Sequence, residues 1–336
     1  MRNVGKQDMQ AVYDAMKTPH KRGFVLLEDG VNIDCATVFW HGGEWRMIFA
    51  RHDPREPAER QGYETWMARS ADLLKWEAMG RVLSQRGAGW DSMQADGGIL
   101  LLDPDWEGSH EPERFGGKYW MSYIGGALPG YEPDPLHIGM ACSASLDRAE
   151  EWARLPEPVL RAGGEGAREF ESATLYKSTV VRDPALAWGA PFVMFYNAKH
   201  RPYGIEEIGA AVSDDMLRWR RVGDGSVVKS GRPADAWNIA GDPQIIRFGE
   251  LWVMHFFVAY ADKATGPRAY DTFAVSRDLK QWENWDGQPL IEPSGHEDRL
   301  FAHKPFVLRH SGVAYHFYCA VGDKGRGLAL ATSEPL

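Results

Sequence analysis

The chain has 336 residues, 44% of them apolar and 25% charged, which is ordinary for a soluble globular protein. Its 47 acidic against 38 basic residues give a formal charge of −9, and no Lys/Arg block is present to track a phosphate backbone, so nucleic acid is excluded as an expected partner. Three cysteines without metal-ligand spacing argue against both a disulfide framework and a zinc site.

Residues 1 to about 20 read as a helical lead-in, with Met9, Val12, Tyr13 and Met16 at helical spacing. The stretch has no apolar core of the kind a signal peptide needs, and no later run is long enough to span a membrane. The expectation is therefore a cytoplasmic protein without membrane contact. Phe24-Val-Leu-Leu27 is the first strand, and it has no partner nearby.

From there the chain repeats. Five short apolar strands each follow a polar residue: Asp34-Cys-Ala-Thr-Val, Asp96-Gly-Gly-Ile, Glu171-Ser-Ala-Thr-Leu, Asp242-Pro-Gln-Ile and His303-Lys-Pro-Phe-Val. An aromatic alternating strand comes next in each repeat, such as Glu44-Trp-Arg-Met-Ile-Phe49 or Leu251-Trp-Val-Met-His-Phe256. A third strand then runs into a Ser/Asp turn and a Trp six residues after the Ser. Ser70 and Trp76, Ser213 and Trp219, and Ser276 and Trp282 carry that spacing. A short apolar pair closes the unit, as at Val82-Leu83 or Leu290-Ile291. Repeats of four antiparallel strands predict an all-β fold, a five-bladed β-propeller forming one domain over 1–336. The last repeat lacks its fourth strand at Leu336, so residues 24–27 are expected to complete it and close the ring.

In a propeller the first strand of every blade lines a central channel. Asp34, Asp96, Glu171 and Asp242 would then ring one pocket, with His303 and Lys304 opposite. Any single one of these acids could cap a turn, but matched positions in separate repeats are not what turn-capping requires. Crowded carboxyl groups raise at least one pKa, which suits proton transfer to a glycosidic oxygen. Arg51, His52, Lys199 and His200 form a candidate cationic rim. Trp40, Trp90, Trp237 and Phe301 are candidates for a sugar-stacking platform. Most of the 14 Trp, 12 Tyr and 14 Phe are nonetheless expected to pack between blades.

On these residues the chain resembles the five-bladed propeller glycosidases, the superfamily of glycoside hydrolase families 32, 43, 62, 68, 117 and 130, and looks closest to family 43. The resemblance covers residues 24–336. It implies an exo-acting, inverting glycoside hydrolase with Asp34 as base, Asp96 as orienting carboxylate and Glu171 as acid, releasing a sugar such as an α-L-arabinofuranoside or β-D-xyloside from an oligosaccharide. No cofactor is required, though the resemblance makes calcium near His303 a candidate. Departures are Cys35, where the family's base motif usually has Pro, Asp91 as a rival for Asp96, and Glu169 as a rival for Glu171. Two alternatives stand beside this reading. One is a family-130-type phosphorylase with phosphate on Arg51, Lys199 and His200. The other is a sugar-binding propeller without catalysis.

Overall fold

Twenty strands and one helix account for the regular structure of this computed structural model, apart from two short 3-10 turns, over its described residues 4–200, 204–233 and 236–336. Helix α1 (Lys6–Met16) buries Met9, Val12 and Met16 against Trp106, Val253 and Phe273. The strands then fall into antiparallel groups of four. The first is β2 (Asn32–His41), β3 (Glu44–His52), β4 (Glu64–Ser70) and β5 (Glu77–Leu83). The second is β6 (Gln94–Ile99), β7 (Tyr119–Gly126), β8 (His137–Ser143) and β9 (Ala153–Arg154). The third is β10 (Thr174–Arg182), β11 (Phe192–Lys199), β12 (Glu206–Ser213) and β13 (Arg220–Val222). The fourth is β14 (Asn238–Phe248), β15 (Leu251–Asp262), β16 (Gly266–Ser276) and β17 (Glu283–Asn284).

The last group joins the two ends of the chain. Strands β18 (Phe301–His310), β19 (Val313–Gly322) and β20 (Gly325–Thr332) are completed by β1 (His20–Leu26), whose Phe24 pairs with Ala329. The hydrogen-bonded ladders do not merge into one closed sheet. Single parallel pairs, Glu206 with Ile239 and Ala269 with Phe301, link the last three groups.

Packing supplies the rest of the circuit. Each major core cluster is shared by two groups: Phe39, Met67 and Tyr123 join the first and second, and Met140 and Phe192 the second and third. Phe195 and Met254 join the third and fourth, Val253 and Val307 the fourth and fifth, and Phe317 and Trp45 the fifth and first. The first strands of the groups, β2, β6, β10, β14 and β18, lie side by side in that order, and β18 returns to β2. Both faces of the aromatic second strands are therefore buried, which is why they are apolar nearly throughout.

The repeated turn has a clear local cause. Leu73, Met216 and Leu279 hold φ of 65°, 63° and 60°, a left-handed conformation that costs a bulky residue free energy. Neighbouring side chains offset that cost. Ser70 Oγ accepts from the Asp72 and Leu73 amides, Asp72 Oδ1 accepts from Leu74 and Lys75, and the Trp76 indole donates to Leu73 O. All five bonds recur around Ser213, Asp215 and Trp219, and four of them around Ser276, Asp278 and Trp282.

Leu330 lies fully buried in β20, between β1 and β19, where the two chain ends meet. Leu330→Ala is expected to cost about 2–5 kcal/mol, the range for truncating a core leucine. It should appear as a lower urea midpoint at unchanged slope.

Candidate active site

Ladder register identifies the residue that each first strand sends to the centre. Met47, Met121, Met194, Met254 and His316 all pair with an alanine of the third strand, and this anchors the repeats to one another. The next residue of each second strand faces Thr37, Gly98, Thr179, Gln244 or Phe306. Two positions earlier on those first strands lie Cys35, Asp96, Lys177, Asp242 and Lys304. All five line a single pocket of about 290 Å³.

The strands reach this arrangement through irregular register. Bulges interrupt β2, β10, β14 and β18, whereas β6 pairs without a shift. Three of the axial residues adopt φ of 52° (Cys35), 52° (Asp242) and 62° (Lys304). A bulge re-aims a side chain, and here it turns these three inward.

The axis is thus a mixed-charge cluster. Lys177 Nζ donates to Asp96 Oδ1 at 2.6 Å and to Gly97 O at 3.0 Å. Cys35 Sγ lies 3.4 Å from Asp242 Oδ2. Burial raises the Asp242 carboxyl, with Asp34 and Asp96 adding to the effect against Lys304 and Lys177. Lys304 Nζ bridges Asp34 at 3.1 Å and Glu132 at 3.3 Å. Asp34 itself is fully buried behind the pocket. It accepts from Arg326 at 2.7 Å, Tyr63 at 3.2 Å and Tyr131 at 3.4 Å. Although burial opposes it, Lys304 and Arg326 hold this carboxyl well below the usual range.

Two further carboxyls line the pocket. Glu206 opens β12, and its Oε2 accepts from buried Asn197 at 2.8 Å. Burial, reinforced by Glu132 and Asp242 and only partly offset by Lys199, pushes Glu206 up to about 8. Glu132 comes from the loop between β7 and β8 at φ 46°, strained for a residue before proline. Burial raises Glu132 as well, but the adjacent Lys304 ammonium favours its ionised form. The opposite wall is apolar: Trp237, Ile239, Phe257, Ala259, Ala269 and Phe301 pack as one cluster.

Several expected assignments fall elsewhere. Glu171 ends a short 3-10 turn ahead of β10, six positions before Lys177. It is fully buried and clamped by Arg168 at 2.7 Å, Arg221 at 3.2 Å and the Tyr196 hydroxyl. Despite burial, Arg168 lowers this carboxyl, so it is poorly suited to donate a proton. Its rival Glu169 is exposed. Asp91 is bound by Tyr123 at 2.9 Å and Arg154 at 3.0 Å outside the pocket, and Trp90 stacks on Tyr123. Trp40 packs edge-on against Trp45 near the β2–β3 turn.

Arg51 forms a two-toothed pair with Glu28 at 2.9 and 2.6 Å. His52 lies behind Tyr131 in edge contact, with Nδ1 3.1 Å from Asn32. Lys199 binds Asp134 at 2.7 Å and spans Tyr176, beside Glu206 but not lining the pocket. His303 does line it. Its Nδ1 lies 3.0 Å from Cys319 O and its ring is flanked by Phe257 and Phe301. Burial, then Arg326, holds His303 neutral, at about 3. Positive charge from Arg326 and Lys304 in this corner does not fit calcium, and among the described residues no cluster of three His, Cys, Asp or Glu is placed to hold a metal.

Of the expected residues the pocket unites Asp96, Trp237, Asp242, His303 and Lys304, together with Phe301, and has Asp34 directly behind. Sequence reasoning missed Tyr131, Glu132, Lys177, Glu206 and Arg326. One signal pointed to Glu206: it and Glu207 open a strand whose following residues, Ile208 to Val212, carry no polar side chain.

Two of the solved structures similar to this chain match it at 40% identity or more. One, described as "Glycoside hydrolase", is 40% identical with a TM-score of 0.92, covering 99% of this sequence and 97% of that one. A second, a complex of BT0996 with RGII, is 41% identical with the same TM-score and coverage. A thermostable family-43 glycoside hydrolase shares the fold at 15% identity and a TM-score of 0.62, covering 93% and 92%. No protein-family model and no curated protein matches the sequence.

Two outcomes test the electrostatics. Glu171→Gln leaves two buried guanidinium groups without their anion and should cost about 3–5 kcal/mol in stability. The folded variant should keep its turnover, measured below its melting temperature. Glu206, ordinarily 4.5, keeps its proton in the folded chain up to about 8 while the unfolded chain loses it earlier. Its contribution to stability therefore declines as pH rises from 4.5 to 8. Glu206→Gln should stabilise the protein at pH 8 relative to the parent and make little difference at pH 4, measured by urea denaturation.

Proposed function

This protein belongs to the glycoside hydrolases, and we propose that it removes one terminal sugar with Glu206 as general acid and Glu132 as the ionised partner. The observation carrying this is that two carboxyls, both raised by burial, face one pocket, and of the two only Glu132 has an ammonium within 4 Å among the described residues. Glu206 is protonated at neutral pH, whereas Glu132 has an ammonium at 3.3 Å that favours its charged form. A proton passes from Glu206 to the glycosidic oxygen as the bond to the anomeric carbon breaks. Glu132 acts on the attacking water, which gives inversion. Asp34, held by Lys304 and Arg326, remains anionic and, with Asp96 paired to Lys177 on the pocket wall, stabilises the positive charge developing on the sugar ring.

The architecture proposed is a five-bladed propeller closed by β1. The order of the first strands and the sharing of each core between neighbouring groups support it. About 290 Å³ of space suits one monosaccharide, so the action is exo. An α-L-arabinofuranoside or β-D-xyloside is the proposed substrate: a small neutral sugar suits a wall of Trp237, Phe257 and Phe301 facing carboxyls that would repel a uronate. An RGII oligosaccharide is the natural context proposed, from the 41% identical structure. Arg51 is engaged by Glu28 away from the pocket, which weighs against the phosphorylase alternative.

A screen of aryl glycosides with and without phosphate tests the reading. Turnover should be independent of phosphate and fall above about pH 8 as Glu206 loses its proton. Glu206→Gln should lower kcat about 10²–10⁴-fold, least for the most acidic phenol leaving groups, which need no proton. An equal loss on every leaving group would remove Glu206 from the acid role. Proton NMR of the first-formed anomer checks inversion.

A further inference from the structure

Tyr131 is an anomaly among the aromatic side chains. It is 42% exposed, the one aromatic among the described residues' exposed large apolar side chains, yet it is held in place on several sides. Its hydroxyl accepts from Arg326 Nη1 at 2.8 Å and reaches Asp34 at 3.4 Å. The Arg326 guanidinium lies 5.0 Å from the ring centroid. Tyr63 meets the ring edge-on at 5.6 Å and His52 does so at 6.2 Å.

The loop carrying it is fixed too. The buried amide of Gln94 donates to Leu128 O at 2.8 Å and to Gly130 O at 2.9 Å, and the Gly130 amide donates to Gln61 O. Leu128, on the same loop, is 48% exposed. One side of the ring packs on Tyr63, His52 and Arg326, but the rest is held toward water, where it adds no burial to the fold. Preorganised aromatic surface of this kind lowers the entropy cost of binding a flat apolar face.

We propose that Tyr131 is the stacking platform for the leaving-group sugar, the first residue beyond the scissile bond. The placement follows from where the ring stands. Tyr131 and Glu132 line the same pocket, and the ring of Tyr131 is 42% exposed, so it stands at the pocket mouth, where the substituent of a terminal sugar held beside Glu132 would emerge. The chemical class is a neutral glycoside whose second ring presents a C–H face, with Leu128 extending the apolar rim. Acidic substituents on that ring would meet Glu132 and Asp134 and be disfavoured. This inference rests on the glycosidase reading of the pocket.

The test separates the two. Wild type, Tyr131→Ala and Tyr131→Phe are assayed on a disaccharide and on the glycosyl fluoride of the same terminal sugar, which has no leaving-group ring. Tyr131→Ala should lower kcat/KM on the disaccharide about tenfold more than on the fluoride, mainly through KM, and Tyr131→Phe should restore that ratio by keeping the ring. Equal losses on both substrates would overturn the platform and leave Tyr131 as a support for Asp34 and Arg326. A Phe variant as selective as Ala would overturn it as well. Wild-type inactivity on every fluoride would instead sink the reading of the pocket.

Discussion

Charge compensation at the centre of the molecule is the constraint on which the site depends. Five first strands deliver Cys35, Asp96, Lys177, Asp242 and Lys304 to one small space. Had all five been acids, mutual repulsion and loss of hydration would have forced most of them to hold protons, and a pocket without anions could not support a cationic transition state. The two lysines prevent this. Lys177 neutralises Asp96 directly, and Lys304 serves Asp34, Glu132 and the neighbourhood of Asp242. Internal ammonium groups give the axis positive charge that does not depend on a bound ion.

That arrangement propagates outward. Asp34 contacts no free space, but it collects Lys304, Arg326, Tyr63 and Tyr131 around one carboxylate. Arg326 in turn fixes Tyr131, and Tyr131 fixes the backbone from which Glu132 projects. Asp34, expected to be the base, thus also anchors the loop that bears Glu132. Glu206 sits on the other side of this network. Its nearest cation, Lys199, is committed to Asp134, so burial dominates and the proton stays.

Much of the fold was legible in the sequence, and the reason is local. The Ser/Asp/Trp turns, the aromatic second strands and the displaced strand at residues 24–27 each carry a pattern within about ten residues, and the pairing of β1 with β20 agrees with it. The site was less legible because a pocket depends on register to a single residue. The Ala-Thr pairs after Asp34 and Glu171 suggested equivalence, yet Thr37 corresponds to Thr179 rather than Thr174, because a 3-10 turn and extra strand residues intervene in the third repeat. Glu171 therefore lands between two arginines. Asp34 and His303 precede the axial positions by one residue, whereas Asp242 in the equally bulged β14 is axial itself. Glu132 lies on a connecting loop and Arg326 on a third strand, where the repeat pattern carries no information about direction.

The strain at the site also has a place in the whole. Cys35, Asp242, Lys304 and Glu132 all hold positive φ without being glycine, and Glu206 and Asp242 are acids whose burial raises their carboxyls. Each feature opposes folding by an amount comparable to a lost core contact. The protein tolerates them together because none belongs to the packing that holds neighbouring sheets. Those cores consist of aliphatic and aromatic side chains spread over the first, second and third strands of the groups. The architecture separates where stability is generated from where it is consumed, so side chains at the channel can change charge and sugar preference while the same sheets persist.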